Sequence, residues 1–135
     1  MHGNRSRSDV VAERAFAITG MDLSGYMVKD ARRAIDFYRD VLGLEPALIY
    51  PDNRGAEYEF PDGTTFGLWG GGGAVMPFQP SNGILFAVDD LDAAVAAMKA
   101  RAIPVMMQHE TPNCFLAMIH DSEGNIITFH QRKRR

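Results

Sequence analysis

Apolar and polar positions along the chain change period several times, and the order of those changes occurs twice. Leu23 to Val28 reads as a strand, followed by Asp30 as a helix N-cap whose carboxylate can accept from the free amides of the first turn. Ala31, Ala34, Ile35, Tyr38, Val41 and Leu42 then recur at helical spacing, and Gly43 supplies the stop. Leu44 to Tyr50, Ala56 to Phe60 and Thr64 to Trp69 read as strands. Pro51-Asp52-Asn53-Arg54-Gly55 and Pro61-Asp62-Gly63 form the turns between them, the Asp-Gly pair suiting a hairpin that needs positive φ.

The second half repeats the order. Ile84 to Val88 reads as a strand, Asp89 or Asp90 as the cap, and Leu91, Ala94, Val95 and Met98 as a helix face. Pro104 to Gln108, Cys114 to His120 and Ile126 to Gln131 read as strands. Tyr26-Met27-Val28-Lys29-Asp30-Ala31 is matched by Phe86-Ala87-Val88-Asp89-Asp90-Leu91, and Pro61-Asp62-Gly63-Thr64 by Ser122-Glu123-Gly124-Asn125. The pattern predicts an α+β chain of two βαβββ modules, 21–69 and 83–131, around a shared cleft. Gly70 to Asn82 is a Gly/Pro linker; the four glycines at 70–73 lack the Lys-Ser/Thr of a phosphate loop. Residues 1–20 read as a tail or an extra edge element, with Val10 to Ile18 a candidate edge strand or short helix, and 132–135 as a basic tail.

Composition narrows the class of partner. The chain has 135 residues, 46% of them apolar, enough for a core in one domain or two fused modules. A net charge of −3 argues against nucleic acid, and Arg132-Lys133-Arg134-Arg135 reads as a solvated terminus. Cys114 is the one cysteine, so no internal disulfide is expected, in keeping with a cytoplasmic setting. No apolar run approaches the ~20 residues that cross a bilayer, and no signal-peptide pattern opens the chain, so no membrane partner is expected.

Phe37-Tyr38-Arg39-Asp40-Val41-Leu42-Gly43-Leu44 resembles the FYxxxLG signature of the glyoxalase, bleomycin-resistance and ring-cleaving dioxygenase superfamily, the vicinal oxygen chelate fold. Val88-Asp89-Asp90-Leu91-Asp92-Ala93-Ala94 resembles its second-module opening, and Asp121-Ser122-Glu123-Gly124-Asn125 its D-P-x-G-N turn, with Ser122 in place of proline. The resemblance, covering 21 to 131, implies a curved mixed sheet with a cup-shaped cleft and helices on its outer face. It also implies four metal-ligand positions, on the first and last strand of each module, normally His, Gln or Glu. The family offsets carry these onto Leu23, Gly67, Gly83 and Thr128. Three of those residues have no donor atom, and one neutral hydroxyl is a poor ligand for a divalent ion. No metal and no other cofactor is therefore expected.

Strand alternation then predicts what fills the cup. Leu23, Gly25, Met27, Thr65, Gly67 and Trp69 face in from one module, and Gly83, Leu85, Ala87, Ile126, Thr128 and His130 from the other. Leu23, Met27, Gly67, Trp69, Gly83, Leu85, Thr128 and His130 are the candidate ligand-binding residues, an apolar lining with few polar groups. Trp69 is equally readable as a plug or as a dimer contact. His130 and His120 are candidate proton-transfer groups, or simply solvated or core imidazoles. Glu57 and Glu59 share one strand face; turned inward they suit an amine or act as a base, and at least one is expected to turn outward. Met106, Met107 and Met118 suit an adaptable wall or core filling.

Three functions fit these residues. The first is metal-independent binding or sequestration of a small apolar or aromatic molecule by a homodimer, as in the bleomycin-resistance branch. An alternative is a lyase, isomerase or dioxygenase-like enzyme with a displaced metal or with His/Glu acid–base chemistry. The other is a ligand-free dimeric subunit with Trp69 and Met76-Pro77-Phe78 buried between chains.

Overall fold

The computed structural model describes residues 15–70 and 77–133. The expectations for residues 1–14, for 71–76 of the linker and for 134–135 of the basic tail lie outside that range. Chain order is β1 (Ser24–Val28), α1 (Ala31–Asp40), β2 (Leu48–Tyr50), a 3-10 turn (Pro51–Asn53), β3 (Gly55–Glu59), β4 (Thr65–Gly70), β5 (Ile84–Ala87), α2 (Leu91–Ala100), β6 (Met107–Glu110), β7 (Cys114–His120) and β8 (Ile126–Arg132). The strands form two four-stranded sheets of equivalent topology, β1-β4-β3-β2 and β5-β8-β7-β6. In each, the first strand runs parallel to the last and the remaining pairs are antiparallel. The fold is α+β, and the two sheets do not close on each other.

The helices begin where the acidic residues allow. Asp30 Oδ1 accepts from the Arg33 amide at 3.2 Å, and Asp90 Oδ1 from the Ala93 amide at 3.1 Å, so Asp90 rather than Asp89 is the second cap. Both helices close with a residue in the left-handed region, Gly43 at φ 72° and Ala102 at φ 57°. The amide after each turns back onto the helix: Leu44 N–H reaches Tyr38 O at 3.0 Å and Ile103 N–H reaches Met98 O at 2.9 Å.

Two strands, β2 and β6, begin three or four residues later than the pattern predicts. Leu44 is occupied in closing α1, and the first bond to β3 comes from Ala47 N–H to Glu57 O at 2.8 Å, just before β2 begins at Leu48. Pro104 has no N–H for a ladder, and the first bond to β7 comes from Met106 N–H to Met118 O. Residues 15–23 belong to no helix or strand, so the candidate edge element is absent from its described part, Ala15 to Ile18.

One contiguous core lies beneath both sheets. Its first half is aromatic: Tyr26, Tyr38, Tyr58 and Phe66 pack with ring centroids 5.4–6.2 Å apart. Its second half is aliphatic, with Val95, Met98, Ala117, Ile119 and Ile127 buried. Phe86 joins them, 5.0 Å from Phe66 and 5.9 Å from Phe60. The burial of Tyr26, Val28, Tyr58, Phe66, Leu68, Ile127 and Phe129 fixes which face of each strand meets the helices.

The modules are also locked by polar groups. The turn Asp121 to Asn125 docks against the β1–α1 junction. Glu123, with its side chain fully enclosed, accepts from the amides of Lys29 (2.8 Å) and Asp30 (2.9 Å) and from Arg33 Nε (2.7 Å). Burial of its carboxylate opposes ionisation, but donors from Arg33, Asp30, Ser122 and Lys29 outweigh that and hold the pKa at about 2. Tyr38 Oη donates to Asp121 Oδ2 at 2.9 Å, Tyr26 Oη to Ile126 O at 2.6 Å, and Asn125 Nδ2 to Met27 O at 2.8 Å. Burial, then the Asp121 charge, pushes the Tyr38 hydroxyl far above the ordinary phenol range.

Candidate functional site

Residues on the sheet faces turned away from the helices are those of opposite parity to the core. In the first sheet, register aligns Gly25, Gly67, Glu57 and Leu48 in one row and Met27, Trp69, Gly55 and Tyr50 in the next. In the second, Leu85, Thr128 and Met118 share a row, and Ala87, His130 and Leu116 the next. The predicted lining of β1, β4, β5 and β8 therefore has one parity throughout, while Leu23 and Gly83 lie just before their strands. Glu57 and Glu59 both lie on the face opposite Tyr58, because residues two apart in a strand share a side. Glu57 is half-buried and Glu59 exposed.

The four family ligand positions fall into two pairs. Leu23 and Gly67 belong to the first module, Gly83 and Thr128 to the second. At Gly67 the space a side chain would take is already filled: a Cβ there would lie 2.6 Å from Trp69 Cζ2 and 3.1 Å from its Nε1. The indole is laid over the glycine, so a donor-bearing residue at 67 would displace the ring. At Gly83, φ 106°, no described residue lies within 4 Å of where a Cβ would sit. Thr128 is buried at 3% exposure between Leu85 and Met118. This set does not fit a divalent ion, which needs several charged or imidazole donors converging on one point.

Nor do the remaining candidates assemble one. His120 pairs with Ile126 and His130 with Leu116, four residues apart along β8 and hence about 13 Å apart along the sheet. Among the described residues, no group of three or more His, Cys, Asp or Glu side chains is placed to hold a metal. His120 is exposed; His130 is half-buried and borders a shallow hollow with Ala87, Asp89 and Arg132. Cys114 is half-buried, its Sγ 3.2 Å from Thr111 Oγ1.

One polar residue of this face had no place in the sequence reading. Tyr50 donates a hydrogen bond to Glu57 Oε2. Burial, then that bond, raises the phenol pKa, and the Trp69 side chain lies close enough to oppose the rise. The signal was available in the alternation of β2 and β3, but it depended on knowing where β2 begins. Leu48, Ile49, Leu85, Met106 and Met107 are 42–59% exposed, leaving apolar groups open along both sheets.

The sequence model of the Glyoxalase/Bleomycin resistance protein/Dioxygenase superfamily matches residues 20–129. No curated protein matches the chain in sequence. Among solved structures, TnmS3, an antibiotic binding protein from Streptomyces sp. CB03234, is 28% identical with a TM-score of 0.73, over 87% of this chain and 99% of that one. A glyoxalase/bleomycin resistance protein from the same organism is 28% identical with a TM-score of 0.67, over 81% and 97% of the two chains. Lactoylglutathione lyase from Agrobacterium tumefaciens shares the fold, at 22% identity and a TM-score of 0.67 over 84% and 94%.

Proposed function

The chain belongs to the Glyoxalase/Bleomycin resistance protein/Dioxygenase superfamily, and from that premise we propose that it binds a small apolar or aromatic molecule without a metal. The observation that carries this reading is the indole of Trp69 lying on Gly67, where a metal-binding relative would project a donor. Leu23 and Gly83 offer no donor, and Thr128 only a neutral hydroxyl. What this surface can offer is apolar area, worth roughly 25 cal/mol per Å² buried, with His130 and Glu57 as polar edges. The likeness to an antibiotic binding protein supports the same class of ligand.

The binding unit is a homodimer. Leu48, Leu85 and Met107 are apolar groups open to solvent on these sheet faces in one copy, and a second copy that covers the faces converts two shallow surfaces into enclosed cups. Leu23, Met27, Gly67 and Trp69 then line one wall, and Gly83, Leu85, Thr128 and His130 the other.

A thermal-shift screen of aromatic and amphipathic natural products tests binding: stabilisation by a subset is expected, and failure across the panel overturns the reading. Metal analysis of protein purified without chelator is expected to find no stoichiometric Zn, Ni, Mn or Fe; finding one overturns the metal-free part. Sedimentation is expected to give a dimer. In Trp69→Ala it is expected to remain one while ligand stabilisation is lost, and dissociation instead assigns the indole to the interface.

A further inference from the structure

Three side chains on the open face of the first sheet form a connected unit outside the four family ligand positions. Tyr50 and Trp69 lie in one row with only Gly55 between them, so no side chain separates the phenol from the indole. Glu57 sits in the adjacent row, beside Gly67. The Tyr50 hydroxyl donates to Glu57 Oε2 and lies within reach of the Trp69 side chain. One face of the indole is applied to the backbone at Gly67, leaving the other face turned away from the sheet. Among the described residues no cation forms an ion pair with Glu57.

We propose that Trp69, Tyr50 and Glu57 select a planar aromatic cation, a deepening that rests on the small-molecule reading above. The ligand's ring stacks on the free face of the indole, where a cation over the ring gains further attraction from its quadrupole. Its protonated nitrogen donates to Glu57 in a charge-assisted hydrogen bond. Tyr50 is a positioning residue. By holding Oε2 it fixes the plane of the carboxylate and leaves Oε1 for the ligand. The unit is assembled before any ligand arrives, so little rotamer freedom is lost on binding.

The test is a fluorescence titration of the full chain with three matched probes: aminoacridine, acridine and acridine carboxylate. Mildly alkaline buffer keeps them cationic, neutral and anionic respectively. Aminoacridine is expected to bind about tenfold more tightly than acridine, with the carboxylate weakest. The ratio is expected to shrink as salt rises, a readout that needs no variant. Glu57→Gln is expected to bring the cationic and neutral probes within about twofold of each other. Tyr50→Phe is expected to reduce the ratio in part, which a purely structural tyrosine would not do. Equal binding of the cationic and neutral probes by the unmodified protein overturns this assignment and leaves small-molecule binding standing. Binding of none of the three overturns both.

Discussion

In the first module the turn at 61–64 includes a local closure: Asp62 Oδ1 accepts from the Thr64 amide and hydroxyl at 3.0 and 2.6 Å on an exposed loop. In the second, the matching turn reaches into the other half of the molecule. Glu123 occupies the place of Asp62 one methylene longer, and it is buried against the start of α1 with five donors from four residues converging on it. The start of α2 is served differently, by Gln131 Oε1 accepting from the Leu91 amide at 2.7 Å. Two turns alike in sequence thus do different work. The repeat has diverged so that one copy closes a hairpin on the surface and the other holds the modules together.

The largest expected effect follows from that difference. Glu123→Ala takes the acceptor from two part-buried amides and from Arg33 and is expected to cost about 3 kcal/mol in denaturant unfolding, against about 1 kcal/mol for Asp62→Ala. A similar cost at both turns would remove the distinction.

The aromatic core offers the next contrast. Tyr38 and Tyr58 are both buried, but Tyr38 donates to Asp121 whereas the Tyr58 hydroxyl, its pKa pushed up by burial to about 12, has no partner among the described residues. Tyr38→Phe is expected to cost about 1.5 kcal/mol, while Tyr58→Phe is neutral or stabilising by a few tenths, since the lost hydroxyl was desolvated without return.

Acid sharpens the role of Glu123. Its pKa falls from an ordinary 4.5 to about 2 in the fold, so its contribution is complete above about pH 4.5 and is lost as pH falls toward 2. Urea midpoints measured across that window are expected to fall less steeply in Glu123→Gln. An unchanged slope would place the acid sensitivity elsewhere.

The smallest effect concerns the two helix ends. Gly43 adopts φ 72° freely, whereas Ala102 holds φ 57° against its own Cβ. Gly43→Ala is expected to lower stability by about 1 kcal/mol and Ala102→Gly to raise it by about 0.5 kcal/mol, read as melting shifts of opposite sign.

Much of this molecule was written locally. The caps at Asp30 and Asp90, the stop at Gly43, the hairpin at Asp62-Gly63 and the parity of each strand are set by contacts between residues a few positions apart, which a linear pattern displays. The loss of donor atoms at Leu23, Gly67 and Gly83 is likewise a matter of residue identity. Folding decided the rest. That Trp69 lies on Gly67, that Tyr50 reaches Glu57, and that Glu123 binds the β1–α1 junction and Arg33, 90 residues away, all depend on strand register and on how two modules meet. Those placements are fixed by long-range packing and by the need to satisfy buried polar groups, and no local period encodes either.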